Sequence, residues 1–346
     1  MAREGPAGRA RIVFVTRSLE KDWPDIAALD ESSLAREQAR FRRGIENWIV
    51  QGYLRLREPL ERAGFEVSIA SRFSRGAICI AHRDDLNRYG DPLYDCFVIA
   101  ARADRPPVLV AQLEVVQNPL QSRGPHSHLI PHWPQPGLVP RDAARGTRVK
   151  RAVYYGRESG APAWYRADGF RQALASRGVA FEVCDTGWHD YREVDVLLAH
   201  RDDTPTMLAN KPASKLVNAW LAGVPAVVAP EPAFIALRQG PLDFIATTDA
   251  PSTIDAVASL ANDATLYRGM VDNGVARGAE FDVEAIRRRW MALILDVALP
   301  AYERWRRQPG GALARYVPFL LAMSTQKIEA KRFRVRERRD KRAIRP

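Results

Sequence analysis

The sequence predicts an α/β protein of two domains, each built on a doubly wound parallel sheet. Short apolar, β-branched runs alternate with helical patterns twice along the chain, which is typical of parallel strands joined by covering helices. A proline-rich stretch at 118–148 interrupts this alternation, and 346 residues suit two domains of ordinary size. Such sheets bind ligands beyond the carboxyl ends of their strands, so we expect a crevice between two facing domains.

The first predicted domain covers residues 1–125. Its strands are predicted from short apolar runs, such as AICIA, that suit a sheet covered on both faces. Helices are predicted at 33–43 and 47–63, and Gly64 fits the C′ position of the second helix. The predicted strands of this domain lie at 12–16, 65–70, 77–81, 95–100 and 107–116.

The linker is predicted at 126–148, within a stretch that has six prolines from Pro119 to Pro140. Proline lacks a backbone donor and favours an extended residue before it, so we expect an ordered, extended connection. The second domain is predicted over 149–283, where the alternation of strands and helices starts again. Its predicted strands lie at 151–156, 179–184, 194–200, 225–229 and 243–248, and its helices at 164–177, 214–222, 233–239 and 252–260.

The composition excludes several classes of protein. With 46% hydrophobic and 27% charged residues the chain is of globular type, and no apolar run approaches the roughly 20 residues of a membrane span. No apolar stretch follows the basic start, so we expect no signal peptide and a cytoplasmic location. Cys79, Cys96 and Cys184 are widely spaced, which favours buried thiols over a disulfide framework or a metal site.

The net charge of +11 is concentrated near the C-terminal end. Residues 327–346 carry ten Lys or Arg and three Asp or Glu, a net charge of +7, so the body is close to neutral. A basic tail after the apolar run 312–323 favours an anionic membrane surface, which would place the protein at the inner face of the plasma membrane. A solvated tail is one alternative, and nucleic acid is another that we do not expect, because the body has no RNA-binding signature.

The segment 210–233 is the most informative one for chemistry, and its pattern predicts a loop, a helix and a strand. Ser214 is a good N-cap residue, and the amides of that helix N-terminus, helped by Lys211 and Lys215, would bind a phosphate group. Glu231 would project from the carboxyl end of the strand that follows. The alternative is that Ser214 only caps the helix and that both lysines are solvated.

This segment, with AGVP at 222–225, resembles the C-terminal donor domain of GT-B glycosyltransferases, in particular of bacterial members. RVKRAVYYGR (148–157) is similar to the first strand of that domain, and HLIPHWPQPGL (128–138) to the strand and linker between the domains. The resemblance covers 126–262, whereas 1–117 match only in architecture. It implies two Rossmann-like domains that face each other across a cleft, with C-terminal helices at 284–326 that cross back to the first domain.

The resemblance also implies a function. The chain would be a hexosyl- or related glycosyltransferase that moves a sugar from a nucleotide-sugar donor to a glycan or lipid-linked acceptor, in cell-envelope polysaccharide synthesis. Protein cations would neutralise the leaving diphosphate, so no cofactor and no obligatory metal ion are expected. The residues expected to bind the donor are Gly156, Arg157, Arg201, Lys211, Ser214, Lys215, Asn218 and Glu231.

Two departures from the family pattern leave a second hypothesis open. Retaining members commonly have glutamates where this chain has Asn210 and Asn218, and an asparagine cannot act as a charged acceptor or a base. The glycine-rich turn expected after the first strand is also absent, and Arg17 would supply the charge for a phosphate instead. The chain is therefore either a divergent transferase or a binding protein that has the fold but has lost part of the catalysis.

The candidate for proton transfer follows a predicted strand of the first domain. Inverting members use a carboxylate or histidine of that domain to take the proton from the acceptor hydroxyl. His82 and Asp85 are our candidates, because HRDD follows a buried run; the alternative is a solvated turn.

The three histidines at 126–132 could suggest a metal site. No Cys or acidic residue accompanies them, however, so we expect no metal to bind there. His132 and Trp133 are expected at the cleft, with packing of Trp133 as the alternative.

Overall fold

A computed structural model describes residues 9–86 and 91–344 of the chain, and the structural statements below concern these residues. The predicted absence of a signal peptide concerns the start of the chain, where residues 1–8 lie outside the described residues. The described chain forms two α/β domains, each with a parallel sheet between helices. The fold class predicted from the alternating apolar runs is therefore confirmed.

The first sheet forms the N-terminal domain. Its strands are β1 (Arg11–Val15), β2 (Glu66–Ala70), β3 (Ile78–His82), β4 (Phe97–Ala101), β5 (Leu113–Val116) and β6 (Ser127–Leu129). They run parallel in the order β2-β1-β3-β4-β5-β6, so the winding reverses at β1. The edge strand β6 pairs with β5, although it comes from the segment predicted as linker.

The second sheet forms the C-terminal domain. Its strands are β7 (Arg151–Tyr155), β8 (Ala180–Cys184), β9 (Val196–Ala199), β10 (Ala226–Val228) and β11 (Ile245–Ala246). They also run parallel, in the order β11-β10-β9-β7-β8, and the winding reverses at β7. The carboxyl ends of these strands are the edge at which ligands are expected to bind.

Helices cover both faces of the two sheets. The α-helices are α1 (Leu19–Asp22), α2 (Gln51–Arg62), α3 (Asp168–Ala175), α4 (Pro205–Leu208), α5 (Ser214–Leu221), α6 (Pro232–Ile235), α7 (Ala250–Asn262), α8 (Ala264–Gly278), α9 (Val283–Ala292), α10 (Leu299–Arg306) and α11 (Gly311–Ile344). A π-helical turn, Glu46–Val50, leads into α2, and a second one, Leu293–Ala298, joins α9 to α10.

The strand side chains alternate between two apolar clusters, as a pleated strand requires. In β1, Ile12 and Phe14 belong to one cluster and Val13 and Val15 to the other, on the opposite face of the sheet. Trp290 of α9 and Tyr302 of α10 belong to the first of these clusters. The helices after the second domain therefore complete the core of the first domain.

The basic segment that we predicted as a separate tail is continuous with α11, which is 34 residues long. Phe319 and Met323 pack against the second cluster of the N-terminal domain. Further along, the Gln326 Oε1 atom accepts a hydrogen bond of 2.8 Å from the Leu109 amide. The Asp340 carboxylate accepts one of 2.6 Å from the Thr206 hydroxyl in the C-terminal domain. This helix consequently contacts both domains.

The prediction of a helix at 33–43 is wrong. The chain forms two short 3₁₀ turns there, Glu31–Leu34 and Gln38–Arg40. The Asp30 side chain caps the first turn by accepting from the Ser33 amide. The Arg40 guanidinium lies 3.8 Å from the centre of the Trp23 ring and pairs with Asp25. Such tertiary contacts outweigh the helix propensity of this stretch, which amounts to only a few tenths of a kcal/mol per residue.

Two further predictions need correction. The predicted strand 107–116 is reduced to β5, because Val108 donates its amide to the Glu114 carboxylate instead of to a neighbouring strand. Cys184 is half-buried and not a core thiol, whereas Cys79 and Cys96 are buried as predicted.

Candidate functional site

A cavity of about 320 Å³ lies between the two domains. On the N-terminal side, its wall is formed by the helical segment that leads into α2 and by the interdomain connection. On the C-terminal side, it is formed by the end of β7 and the first turns of α5. The residues that line it are Arg42, Arg43, Gly44, Asn47, His132, Trp133, Gln135, Tyr155, Gly156, Arg157, Trp188, Tyr191, Ser214, Lys215 and Asn218. The structure thus brings together seven of the residues that the sequence assigned to the site.

The turn after β7 forms one wall of the cavity. Gly156 has a φ of +154°, and a Cβ atom there would lie 3.0 Å from both the Lys215 Nζ atom and the Tyr154 ring. A side chain at this position would crowd both groups, so glycine lets the Lys215 ammonium group lie close to the turn. Arg157 follows with an exposed side chain, and no ion pair with a described residue holds it.

The N-terminus of α5 forms the adjacent wall. Ser214 is the first residue of this helix and not its N-cap, which is Ala213, and no side chain caps the helix. The first amides of an α-helix have no partner within it, and here no capping side chain accepts from them. The alternative that Ser214 only caps the helix is therefore excluded.

Lys215 brings a desolvated positive charge to the cavity. Its Nζ atom lies 3.6 Å from the centre of the Tyr154 ring, and no carboxylate of the described chain lies within ion-pair distance. The pKa of Lys215 is held well below its usual range, mainly by burial and to a smaller extent by the nearby Arg201 guanidinium. An anionic ligand would relieve this cost by pairing with the ammonium group.

Arg201 and Glu231 lie behind this wall, outside the cavity lining. They form a buried ion pair at the ends of β9 and β10, and both interact electrostatically with Lys215. Burial raises the pKa of Glu231, and its Oε1 atom has no hydrogen-bond partner in the described chain. These two residues therefore set the electrostatic potential around Lys215 from behind.

Lys211 lies away from the cavity and bridges the domains. Its Nζ atom is 3.1 Å from the Asp104 carboxylate of the N-terminal domain. Beside it, the Asn210 Oδ1 atom accepts hydrogen bonds of 3.1 Å from Arg102 and from Gln121, also of the N-terminal domain. The contacts of Lys211 and Asn210 hold the two domains together at this point.

Asn218 faces the cavity from the second turn of α5. Its Oδ1 atom accepts a hydrogen bond of 3.2 Å from the backbone amide of Gln135. The Asn218 side chain is 8% exposed, so little of it is left for a ligand. It connects α5 to the interdomain linker.

The predicted base candidates lie outside the cavity lining. His82 is 3% exposed, and a Cβ atom at Gly44 would lie 3.0 Å from its Nε2 atom. Asp85 is buried as well, and its backbone carbonyl accepts a hydrogen bond of 2.8 Å from Arg17. Arg17 also pairs with Asp91 and lies outside the cavity lining.

The linker supplies the opposite side of the cavity. The His132 ring packs edge-on against Trp48, with 5.0 Å between the ring centres. Trp133 is 2% exposed and belongs to the core of the N-terminal domain, so the packing alternative holds for most of its side chain. Among the described residues, no cluster of His, Cys, Asp and Glu has the arrangement of a metal site.

Sequence reasoning missed the residues that come before α2. Arg42 and Arg43 are exposed, and Asn47 lies one helical turn further on. The incorrect helix at 33–43 concealed them, because it placed the two arginines at a helix C-terminus. Two adjacent arginines before a glycine and a helix start were the signal that could have identified them.

The cavity lining has an excess of cations, although Arg43 is paired with Asp22 and Glu46 outside the lining. Of the described residues that line it, none is Asp or Glu, whereas four are Arg or Lys. Two of these cations come from each domain. The arrangement suits an anion of two or more charges bound between the domains.

Two facing parallel sheets, an extended connection and helices that return to the first domain constitute the GT-B fold, in agreement with the predicted resemblance. The sucrose-phosphate synthase from Thermosynechococcus elongatus has this fold. It matches 84% of this chain and 100% of its own, with a TM-score of 0.53 and 14% identity. No protein-family model matches the sequence, and no curated protein is significantly similar to it.

Two other similar structures have lower TM-scores. HepE of Anabaena, in complex with UDP and glucose, has a TM-score of 0.47 and 10% identity over 84% of this chain and 100% of its own. The pneumococcal O-GlcNAc transferase GtfA, in complex with UDP and GlcNAc, has a TM-score of 0.49 and 10% identity over 66% of this chain. This chain spans 58% of the length of GtfA.

Proposed function

We propose that the protein is a glycosyltransferase that moves a sugar from a nucleotide-sugar donor to a glycan or lipid-linked acceptor, in the synthesis of a cell-envelope polysaccharide. The observation that carries this proposal is the convergence of the Gly156–Arg157 turn with the uncapped N-terminus of α5 and with Lys215 in one interdomain cavity. The GT-B fold shared with a sucrose-phosphate synthase supports it.

In the proposed reaction, these groups bind the diphosphate of the donor. The first amides of α5 donate hydrogen bonds to its oxygens, next to the Gly156–Arg157 turn. Arg157 and Lys215 supply positive charge as the bond to the sugar breaks and the leaving group gains charge. We therefore propose that no cofactor and no metal ion are required for this step.

A thermal-shift panel tests the proposal. UDP-glucose, GDP-mannose, ADP-glucose and CMP-sialic acid are each added to the full chain, with glucose and mannose as controls that lack the diphosphate. At a concentration of about 100 times its Kd, the correct donor is expected to stabilise the fold by about 2.7 kcal/mol. The free sugars should have no effect. If none of the four nucleotides changes the melting temperature, the proposed function is wrong.

Asn210 and Asn218 favour one alternative, a binding protein with a degenerate site. Both replace carboxylates of the family pattern, and both are engaged in contacts to the N-terminal domain or the linker. Release of nucleoside diphosphate from the stabilising donor in the absence of acceptor separates the two functions. Binding without any release would favour the degenerate protein.

We also propose that α11 rests on an anionic membrane surface. Its outward side carries exposed apolar residues next to the basic ones, namely Leu313, Val317, Leu321, Ile328 and Val335. Each basic residue near such a surface contributes about 1 kcal/mol. No helix of the described chain is long and apolar enough to cross a membrane.

Vesicle flotation with the full chain tests the membrane proposal. Leu321→Asp places a charge on the exposed apolar side of α11, and we expect it to weaken binding to phosphatidylserine vesicles by about tenfold. The matched control is Val275→Asp, which changes an exposed apolar residue of α8 and should leave binding unaltered. Equal binding to neutral vesicles, or binding to RNA in preference to vesicles, would contradict the proposal.

A further inference from the structure

The two histidines closest to the cavity are held in opposite tautomers. The His132 Nδ1 atom lies 3.1 Å from the carbonyl oxygen of Trp133, which can only accept a hydrogen bond, so Nδ1 carries the proton. The His82 Nδ1 atom lies 3.2 Å from the amide of Asp84, which can only donate, so Nδ1 is the acceptor. In its neutral form, His132 therefore has its lone pair at Nε2, whereas His82 has its proton there.

The Nε2 atom of His132 is not engaged by another group of the described chain. His132 lines the cavity, and within residues 9–86 and 91–344 no group bonds its Nε2 atom. The edge-on contact with Trp48 and the hydrogen bond to the Trp133 carbonyl hold the ring in one orientation. Burial lowers the pKa of His132, so the ring is neutral near pH 7 and its Nε2 atom can accept a proton.

The rest of the cavity wall offers no competing base. Its titratable and charged groups besides His132 are Arg42, Arg43, Arg157, Lys215, Tyr155 and Tyr191, all of them described residues. Four of these are cations, and burial raises the pKa of Tyr155 and of Tyr191. The described lining holds no carboxylate and no second imidazole, and Lys215 is assigned to the diphosphate, so His132 is the candidate base that remains.

His82 has the opposite properties. Its Nε2 atom bears the proton, faces Gly44, and has no hydrogen-bond partner in the described chain. Because Nε2 already carries the proton, it could accept another one only if the proton first moved to Nδ1. The Asp84 amide would then lose its acceptor. Burial lowers the pKa of both rings, that of His82 to about 4, so tautomer and position distinguish them and the pKa does not.

We propose that His132 is the general base of the proposed sugar transfer, an inference that rests on the proposed function. The oxygen of the acceptor hydroxyl, or of water in hydrolysis, bonds to the anomeric carbon while the bond from that carbon to the diphosphate oxygen breaks. The hydroxyl proton passes to His132 Nε2, and the electron pair of the broken bond leaves with the nucleoside diphosphate. The imidazolium then returns the proton to solvent.

The test measures nucleoside diphosphate release by the full chain from UDP-glucose, GDP-mannose, ADP-glucose and CMP-sialic acid (for the last, CMP release). For the nucleotide that wild type turns over, His132→Gln is expected to lower kcat at least about 100-fold while KM changes less than about threefold. The acidic limb of the pH–rate profile should also disappear. His126→Gln, which changes an exposed histidine of the same segment, is the matched control and should turn over like wild type.

A second measurement does not depend on turnover. Nitrogen-15 NMR of the histidine rings should show a protonated Nδ1 in His132 and a protonated Nε2 in His82. If the His132→Gln variant melts early, His132→Asn takes its place, because its amide retains a donor near the Nδ1 position. Melting curves with the bound nucleotide show whether each variant still binds the donor.

Each other outcome leads to a definite conclusion. Turnover by His132→Gln within about threefold of wild type would overturn the base assignment, and so would a protonated His132 Nε2 in the NMR spectrum. Loss of turnover in His82→Gln with retention in His132→Gln would move the role to His82. Failure of the wild-type chain to turn over any of the four nucleotides would overturn the proposed catalytic function and the base with it.

Discussion

Replacement of Lys215 by methionine is expected to raise the free energy of unfolding by about 1–2 kcal/mol and at the same time to weaken donor binding at least about tenfold. The ammonium group lies in a desolvated position against the Tyr154 ring, without a carboxylate of the described chain in contact. Methionine fills a similar volume and carries no charge, so the folded chain no longer bears this cost. In the proposed donor complex, however, the diphosphate would lose a charged hydrogen bond.

The stability gain should depend on pH. The pKa of Lys215 is lowered by folding, so wild type loses stability relative to the methionine variant as the pH falls below about 10.4, the unfolded value. The advantage of the variant should therefore shrink as the pH is raised from about 8 to about 10. Urea denaturation at several pH values, with and without the stabilising nucleotide, measures both effects.

Lys150→Met is the matched control for this experiment. Lys150 is an exposed residue of the same domain, and the same substitution there should change stability by less than about 0.5 kcal/mol and leave donor binding unaltered. If Lys215→Met destabilises the fold and still binds the donor like wild type, Lys215 is a structural residue and not part of the diphosphate site.

Asp195→Ala is expected to destabilise the protein by about 3–5 kcal/mol. The carboxylate is 0% exposed and accepts hydrogen bonds of 2.7 Å from Arg141 and 2.7 Å from Arg145. It also accepts from the backbone amides of Lys150 and Arg151, at 2.8 and 2.9 Å. Its removal leaves these donors without this acceptor in a buried place.

Glu182→Ala provides the comparison. Glu182 is 48% exposed at the side chain and pairs with Arg151 at 2.7 Å, so the ion pair is of similar length but open to water. We expect its loss to cost less than about 1 kcal/mol in urea denaturation. Similar losses of stability in both variants would show that burial of Asp195 is not what makes its contacts important.

The strands of both sheets were predictable because their signal is local. The run ICIAH forms β3 with every residue buried, and only a sheet covered on both faces accommodates such a run. The turn at Gly156 and the start of α5 were predictable for a related reason. In a parallel sheet, the ends of strands and the starts of helices meet at one edge, so their positions follow from the element boundaries.

The other half of the cavity was not predictable in this way. Arg42 and Arg43 lie in a stretch whose residues favour a helix. The backbone of this stretch takes another path because of tertiary contacts such as that of Arg40 with Trp23. The basic C-terminal segment was also misinterpreted as a separate tail, because its attachment through Gln326 and Asp340 uses partners more than a hundred residues away.

The sequence by itself determined the two-domain architecture and the start of α5 at Ser214, whereas the structure alone showed that no side chain caps this helix. It could not distinguish Lys211 from Lys215, four residues apart, since the tertiary structure pairs the first with Asp104 and places the second against the Tyr154 ring. Nor could it distinguish His82 from His132, whose tautomers are set by single backbone groups. Periodicity is encoded in neighbouring residues, whereas the charge and proton state of a buried group depend on partners that only folding brings near.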